Sequence, residues 1–402
     1  MNKIVHECLK KAVFMVKRIN YNLAKKLTAT EDKTVFFETF QARKYACNPK
    51  ALYEEMLAND EYRDFKFIWA VRDMQKYSYL NENRNTTIVR FESVRYFKEL
   101  AKSKYWIINS KTRNFIKPKK DQIFLQTWHG TPLKKIGCDV TLSGNSVDSV
   151  KDIYKKYTLE GKKLTYMVSP SAFCSEKLIS AFNLASLQKE NCILELGYPR
   201  NTALFTAKED SMNQIKKDLG IPLDKKVILY APTFRDNQHQ VGLGFVYKLG
   251  LDFEKLKRDL GEGYVVLFRA HYFVANAFDF DKYWGFVYNV SDLDDINDLY
   301  LVSDMLMTDY SSVFFDYANL KKPILFYMYD YDDYKNEIRD FYIDMEELPG
   351  EIYNDQNSLT QGITRTMNHF EYDIKYEAFN NKYNYLDGPM VSGNVLKAII
   401  KM

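Results

Sequence analysis

Apolar residues recur at helical spacing from Ile4 to Leu27: Ile4, Leu9, Val13, Val16, Ile19 and Leu23. Between them lie the basic residues Lys10, Lys11, Lys17, Arg18, Lys25 and Lys26, opposed only by Glu7. The pattern predicts a basic amphipathic helix over residues 1–30. Such a helix can lie on an anionic membrane, apolar face down. It can equally be a surface helix packed on a core, with lysine stems covering its edge. A second basic stretch, Lys151, Lys155, Lys156, Lys162 and Lys163, could touch the same surface.

After Lys33 the period changes. Thr34–Glu38, Phe65–Val71, Thr86–Phe91, Tyr105–Asn109 and Gln122–Trp128 are short apolar, β-rich runs separated by polar, helix-favouring stretches. Thr165–Ser169 and Ile193–Leu196 continue the series. Near Gly197–Lys226 the chain turns polar, and a second series follows: Lys226–Ala231, Tyr264–Arg269, Phe286–Val290, Met305–Thr308 and Pro323–Tyr327. Strands alternating with helices predict parallel sheets with helices on both faces. Two such series predict two α/β domains, over residues 31–200 and 201–402, facing each other across a cleft. Ligands in such sheets bind at the carboxyl ends of the strands.

Composition narrows the class. The 402 residues are 46% hydrophobic and 27% charged, which excludes a disordered chain. The charge sum, 57 − 53 = +4, is too balanced for a protein whose whole surface binds nucleic acid. Five scattered cysteines without a CxxC pair argue against a disulfide framework or a structural zinc site. No apolar run approaches the roughly 18 residues of a membrane span. Lysines and Arg18 interrupt any secretory h-region, so a cytosolic setting is expected.

Four polar clusters follow predicted strands. His129-Gly130-Thr131-Pro132 offers a base of near-neutral pKa, a glycine that permits close approach and a proline suited to a helix start; the alternative is a histidine bonded within a turn. Thr233 and Arg235 suit a diphosphate, or an arginine at a domain interface. Arg269 and His271, two apart, can address one anion from one side, unless the arginine pairs with a carboxylate. Ser311 and Ser312 precede a helix read as Val313–Leu320. They can cap it or surround a phosphate at its amino end. Asp316, four residues on, could reach a ribose hydroxyl. Asp279-Phe280-Asp281 and Asp330-Tyr331-Asp332 have a metal-binding D-x-D spacing but lie in Asp-rich segments where chance accounts for it. Walker-type, dinucleotide-type and G-x-S-x-G motifs are missing from the sequence.

Taken together and in order, these stretches resemble the CDP-glycerol glycerophosphotransferases of teichoic acid synthesis. The likeness runs through Gln126-Thr127-Trp128-His129-Gly130-Thr131-Pro132-Leu133-Lys134, Ser169-Pro170-Ser171 and Gly197-Tyr198-Pro199-Arg200. It continues through Tyr230-Ala231-Pro232-Thr233-Phe234-Arg235, Arg269-Ala270-His271, Thr308-Asp309-Tyr310-Ser311-Ser312, Lys322-Pro323-Ile324 and Arg339-Asp340-Phe341-Tyr342. Asp340 departs from the family's usual glycine.

The resemblance implies a GT-B-type fold of two Rossmann-like domains, the first handling the acceptor and the second CDP-glycerol. It implies transfer of glycerol phosphate to a hydroxyl of a lipid-linked acceptor with release of CMP, without bound metal or other cofactor. His129 would be the base. His271 would be the second catalytic residue; with Thr233, Arg235, Arg269, Ser311 and Ser312 it would hold the diphosphate and stabilise negative charge on leaving CMP, and Asp316 would reach the ribose. With only 128 residues before His129, the chain is most similar to the short, primase-type members. Their acceptor is an undecaprenyl-diphosphate-linked disaccharide, N-acetylmannosaminyl-N-acetylglucosamine. A short chain-extending transferase of teichoic acid or capsule synthesis, or a nucleotide-sugar glycosyltransferase or epimerase on the same fold, are the alternatives. The expected location is the cytoplasmic face of the bacterial membrane, peripherally bound through the first helix to an anionic surface.

Overall fold

The computed structural model describes residues 3–141, 148–233, 239–240, 244–245, 250–270, 279–331 and 340–400. Seven strands form the first sheet: β1 (Glu31–Glu38), β2 (Lys66–Val71), β3 (Thr86–Arg90), β4 (Ser103–Ile108), β5 (Ile123–Gln126), β6 (Tyr166–Ser169) and β7 (Ile193–Glu195). Their order is β3-β2-β1-β4-β5-β6-β7, parallel throughout. After β8 (Lys226–Ala231) and a two-residue antiparallel pair, β9 (His239–Gln240) with β10 (Gly244–Phe245), the second sheet continues with β11 (Tyr264–Phe268), β12 (Val287–Asn289), β13 (Met305–Thr308), β14 (Ile324–Tyr327) and β15 (Glu351–Tyr353). Its order is β12-β11-β8-β13-β14-β15, again parallel. Both sheets thus follow the Rossmann order 3-2-1-4-5-6. Their switch points, between β1 and β4 and between β8 and β13, are where ligand crevices open.

The helices are α1 (Lys3–Leu27), α2 (Cys47–Ala58), α3 (Val94–Lys102), α4 (Val150–Gly161), α5 (Ala172–Ala181), α6 (Thr202–Thr206), α7 (Glu209–Asp218), α8 (Phe253–Leu260), α9 (Ile296–Val302), α10 (Val313–Tyr317), α11 (Gln356–His369), α12 (Ile374–Tyr383) and α13 (Val391–Ile399). Helices cover both faces of the sheets, so the strands need near-continuous apolar runs. Along β8, Val227 and Leu229 face one core while Ile228 and Tyr230 face the other. In the first domain Phe37 stacks on Trp69 with ring centroids 5.2 Å apart, and Trp106 is fully buried. Each such ring contributes about 1.5–3 kcal/mol of burial.

The chain crosses between the halves more than once. Helix α13 returns to the first core through Val391, Val395, Leu396 and Ile399. Leu133, from the first half, is buried in the second core. Lys134 forms an antiparallel bridge with Phe341, and the Tyr342 amide donates to the Leu133 carbonyl at 2.8 Å. The expected helix start at Pro132 is therefore not formed; the segment is spent reaching across to the other domain. Asp340, the departure from the family pattern, accepts a hydrogen bond from Lys135. Lys50–Asp295 and Lys76–Asp294 ion pairs, each 2.8 Å, close the far side of the junction.

Helix α1 uses one face to dock. Phe14 packs on Phe115 at 5.2 Å, Lys17 pairs with Glu92, and the buried Tyr21 bonds to Lys117. Lys25 donates to the Lys117 and Pro118 carbonyls at 2.9 and 3.2 Å. Lys17 and Lys25 therefore hold the helix to the domain rather than standing free for a membrane. Val5, Leu9, Val13, Val16, Ile19, Leu23 and Leu27 are all exposed along the helix. In the second basic stretch Lys163 is buried against Glu160 at 2.8 Å, and Lys156 pairs with Asp148 at 2.5 Å. Among the described residues, no helix is long and apolar enough to cross a membrane.

Candidate active site

The cleft between the domains, about 430 Å³, is lined on one side by Trp128–Lys134 and on the other by Ala231–Thr233, Arg269, Ala270 and Tyr310–Val313. The second set lies at the carboxyl ends of β8, β11 and β13. Asp309 ties two of these ends together, accepting from the Thr233 amide at 2.8 Å and the Tyr310 amide at 2.6 Å.

His129 follows β5 and is exposed to the cleft. Its Nδ1 lies 2.7 Å from the carbonyl oxygen of Asn109, the residue after β4. A carbonyl can only accept, so Nδ1 carries the proton and Nε2 keeps its lone pair. The ring sits against Trp128 at 4.3 Å and edge-on to Phe40 at 5.7 Å. One side of the ring is open to the cleft, but the protein packed around the rest of it disfavours the imidazolium; this lowers the pKa, against the Asn109 bond, and the nearby Arg200 and Lys111 charges lower it further, from 6.5 to about 4. The ring is thus neutral at pH 7, with one nitrogen fixed as donor and the other able to take a proton.

Ser312 stands immediately before α10, yet its hydroxyl makes no capping bond. It lies 3.2 Å from where a Cβ on Gly130 would be. The short approach explains the glycine: Gly130 has φ +154 and sits where the histidine-bearing turn touches the serine-bearing one. Helix α10 has only five residues, followed by a 3₁₀ turn, so the single helix read over Val313–Leu320 is shorter than expected and its dipole is small.

Thr233, Ser311, Ser312 and His129 are brought together by the cleft, as the sequence predicts. Arg269 borders it, but its guanidinium donates to the carbonyls of Val290, Leu293 and Asp294 at 3.3, 2.9 and 3.5 Å. It organises the loop after β12 while still lining the cleft. Asp316 is buried, is not among the residues that line the cleft, and accepts from Arg200 at 2.6 Å and Asn201 at 3.0 Å. Arg235 and His271 lie outside the described residues. Of the D-x-D pairs, Asp279 accepts from the Asp281 amide in a turn and Asp330 accepts from the Tyr310 hydroxyl, while Asp332 lies outside the described residues. No group of three or more metal-ligating side chains occurs among the described residues.

Sequence reasoning did not single out Arg200 and Asn48, which hold the backbone of the histidine-bearing turn from behind the cleft lining. The signal was present in Gly197-Tyr198-Pro199-Arg200, where an arginine follows a proline at the domain junction. Asn48 carries no signal of its own.

The pattern of the family described as CDP-Glycerol:Poly(glycerophosphate) glycerophosphotransferase matches residues 19–401. A teichoic acid glycerol-phosphate transferase of Staphylococcus aureus is 38% identical over 391 residues, covering 95% of this chain and 96% of that protein. The teichoic acid poly(glycerol phosphate) polymerase of Bacillus subtilis is 34% identical over the whole chain, which spans 52% of the polymerase. The teichoic acid glycerol-phosphate primase of the same organism is 31% identical over 72% of this chain and 73% of its own. A solved structure of the wall teichoic acid polymerase TagF superposes with a TM-score of 0.86 at 32% identity, covering 99% of this chain and 98% of that one. With the fold, the cleft and its ordered motifs in agreement, the chain belongs to the CDP-glycerol:poly(glycerophosphate) glycerophosphotransferase family, transferases of teichoic acid synthesis.

Proposed function

We propose that this protein transfers glycerol phosphate from CDP-glycerol to a hydroxyl of an undecaprenyl-diphosphate-linked acceptor at the cytoplasmic membrane surface, releasing CMP. The observation that supports this most is a neutral imidazole, its tautomer set by Asn109, facing the Ser311 and Ser312 hydroxyls across one cleft. In this reading Nε2 of His129 takes the proton from the acceptor hydroxyl. The acceptor oxygen bonds to the glycerol-bearing phosphorus, and the bond from that phosphorus to the bridging oxygen breaks, its electron pair leaving with CMP. Thr233, Ser311 and Ser312 donate to the diphosphate as charge moves onto the leaving group. The exposed apolar stripe of α1 lies on the lipid surface that carries the acceptor.

Priming of the bare disaccharide is the first reading, supported by the likeness to the Bacillus subtilis glycerol-phosphate primase. The likeness to the poly(glycerol phosphate) polymerase of Bacillus subtilis, 34% identical, supports the second reading, addition to an acceptor that already carries glycerol phosphate. The test is mass spectrometry of products from CDP-glycerol with two synthetic lipid disaccharides, bare and already bearing one glycerol phosphate. One added glycerol phosphate with free CMP is expected, and the acceptor that reacts decides between the readings. EDTA should leave turnover within about twofold. No CMP from either acceptor overturns the donor assignment, and EDTA inactivation reversed by Mg²⁺ overturns the metal-free chemistry.

A further inference from the structure

Arg200 lies at the turn where the chain passes from the first domain to the second, 6% exposed. Its own backbone is held on both sides: its amide donates to Asn48 at 3.0 Å, and its carbonyl accepts from Asn297 of α9. One guanidinium nitrogen donates to the carbonyl of His129 at 2.7 Å and approaches the Cys47 sulfur at 3.4 Å. The other meets the Asp316 carboxylate of α10 at 2.6 Å. Asn48 completes the grip, with its side-chain amide donating to the carbonyls of Thr127 at 3.0 Å and Trp128 at 3.3 Å. Three successive carbonyls of the histidine-bearing turn are therefore held by two buried side chains.

That turn needs holding. Trp128 has φ +50, a left-handed conformation that costs a bulky residue about 1–3 kcal/mol and persists only where the surroundings over-determine it. Asp316, at the other end of the guanidinium, is four residues beyond Ser312, and a Cβ on Gly130 would lie 3.5 Å from Arg200 as well as 3.2 Å from Ser312. A plain interdomain contact would not need an ion pair here, because a buried pair contributes little net stability compared with apolar residues of equal volume. What the pair supplies is a fixed geometry between the histidine-bearing turn and the helix that follows Ser312.

We propose that Arg200, through Asp316, is a positioning residue that sets the reach from the His129 base to the donor-holding serines, so that the two domains present acceptor and donor at one spacing. This rests on the reading of His129 as base. Misplacing a reacting group by about 1 Å can lower a rate by about 10²-fold.

The experiment compares the parent, Arg200→Lys, the double variant Arg200→Met/Asp316→Leu, and His129→Ala. Each is measured for kcat, for KM and for equilibrium binding of CDP-glycerol. The double variant removes both charges, so it should fold and bind CDP-glycerol within about threefold of the parent. Its kcat should fall by about 10²-fold. Arg200→Lys keeps the charge but cannot span both partners, and should lose at least about tenfold in kcat with unchanged donor binding. A double variant with parental kcat overturns the proposal; if it does not fold, parental kcat in Arg200→Lys does so instead. Loss of donor binding in parallel with kcat also overturns it, since that marks a general structural role. Parental kcat in His129→Ala overturns the base reading separately, whatever Arg200 does.

Discussion

Acidification should leave turnover intact well below the pH at which an ordinary histidine base fails. Surrounding protein mass lowers the His129 pKa from 6.5 to about 4, while the ring stays open to the cleft. At pH 5.5 a base of pKa 6.5 would be only about 9% neutral, an elevenfold loss, whereas one near 4 would be about 97% neutral. The acid limb of kcat/KM, which reports the free enzyme, should therefore fall below 6.5 and approach 4. The assay is CMP release from pH 4.5 to 8 by the parent and by His129→Asn, whose side-chain amide can still donate to the Asn109 carbonyl. The variant should lose about 10²–10⁴-fold at pH 7. It should also lose the limb. The same shift makes a stability claim. Between 6.5 and 4 the unfolded chain takes up a proton that the folded chain refuses, so stability contributed by neutral His129 is present above 6.5 and is lost as pH falls toward 4. The thermal midpoint of the parent should drop more steeply across that window than that of His129→Asn. An acid limb at or above 6.5, or one that survives the substitution, would refute the reasoning and assign the titration to another group.

Two further outcomes follow from the geometry. Gly130→Ala places a Cβ 3.2 Å from the Ser312 hydroxyl at φ +154; it should cost about 1–2 kcal/mol in thermal denaturation and lower kcat at least about tenfold, and parental values for both would mean that the turn yields freely. Glu at Leu9, Val13, Val16 and Leu23, each at least half exposed on α1, should release the protein from phosphatidylglycerol vesicles without lowering its melting temperature; unchanged sedimentation with vesicles would place any anchor elsewhere. Deleting residues 1–27 is a poorer test, because it also removes the buried Tyr21 and its bonds to Lys117.

Every strand expected from an apolar run appears in one of the two sheets, because strands covered on both faces must be apolar along their length and are therefore conspicuous. β15 was missed for the converse reason: of Glu351, Ile352 and Tyr353 only the last is buried, and it forms a sheet edge that carries little pattern. The two α/β halves, and the gathering of His129, Thr233, Ser311 and Ser312 at strand ends along one cleft, were legible for the same local reasons. Turn residues and hydroxyls at strand ends are read over a few positions.

What the linear order could not supply was the partner of each charge. Asp316 reads as a free carboxylate four residues after a serine, and becomes the counter-charge of an arginine 116 positions earlier. Arg269 reads as an anion ligand with no other partner, and the fold adds three carbonyls of the loop after β12 to its guanidinium. Lys17 and Lys25 read as members of a basic face, and only docking of α1 separates them from the rest. The amino-acid sequence determines by itself which segments can be strands, since burial of apolar surface is a property each segment carries alone. Only the tertiary structure decides which charges are spent on the protein and which are left for a ligand, because Coulomb and hydrogen-bond partners come from residues 21 to 116 positions apart, and a buried charge must take the nearest one.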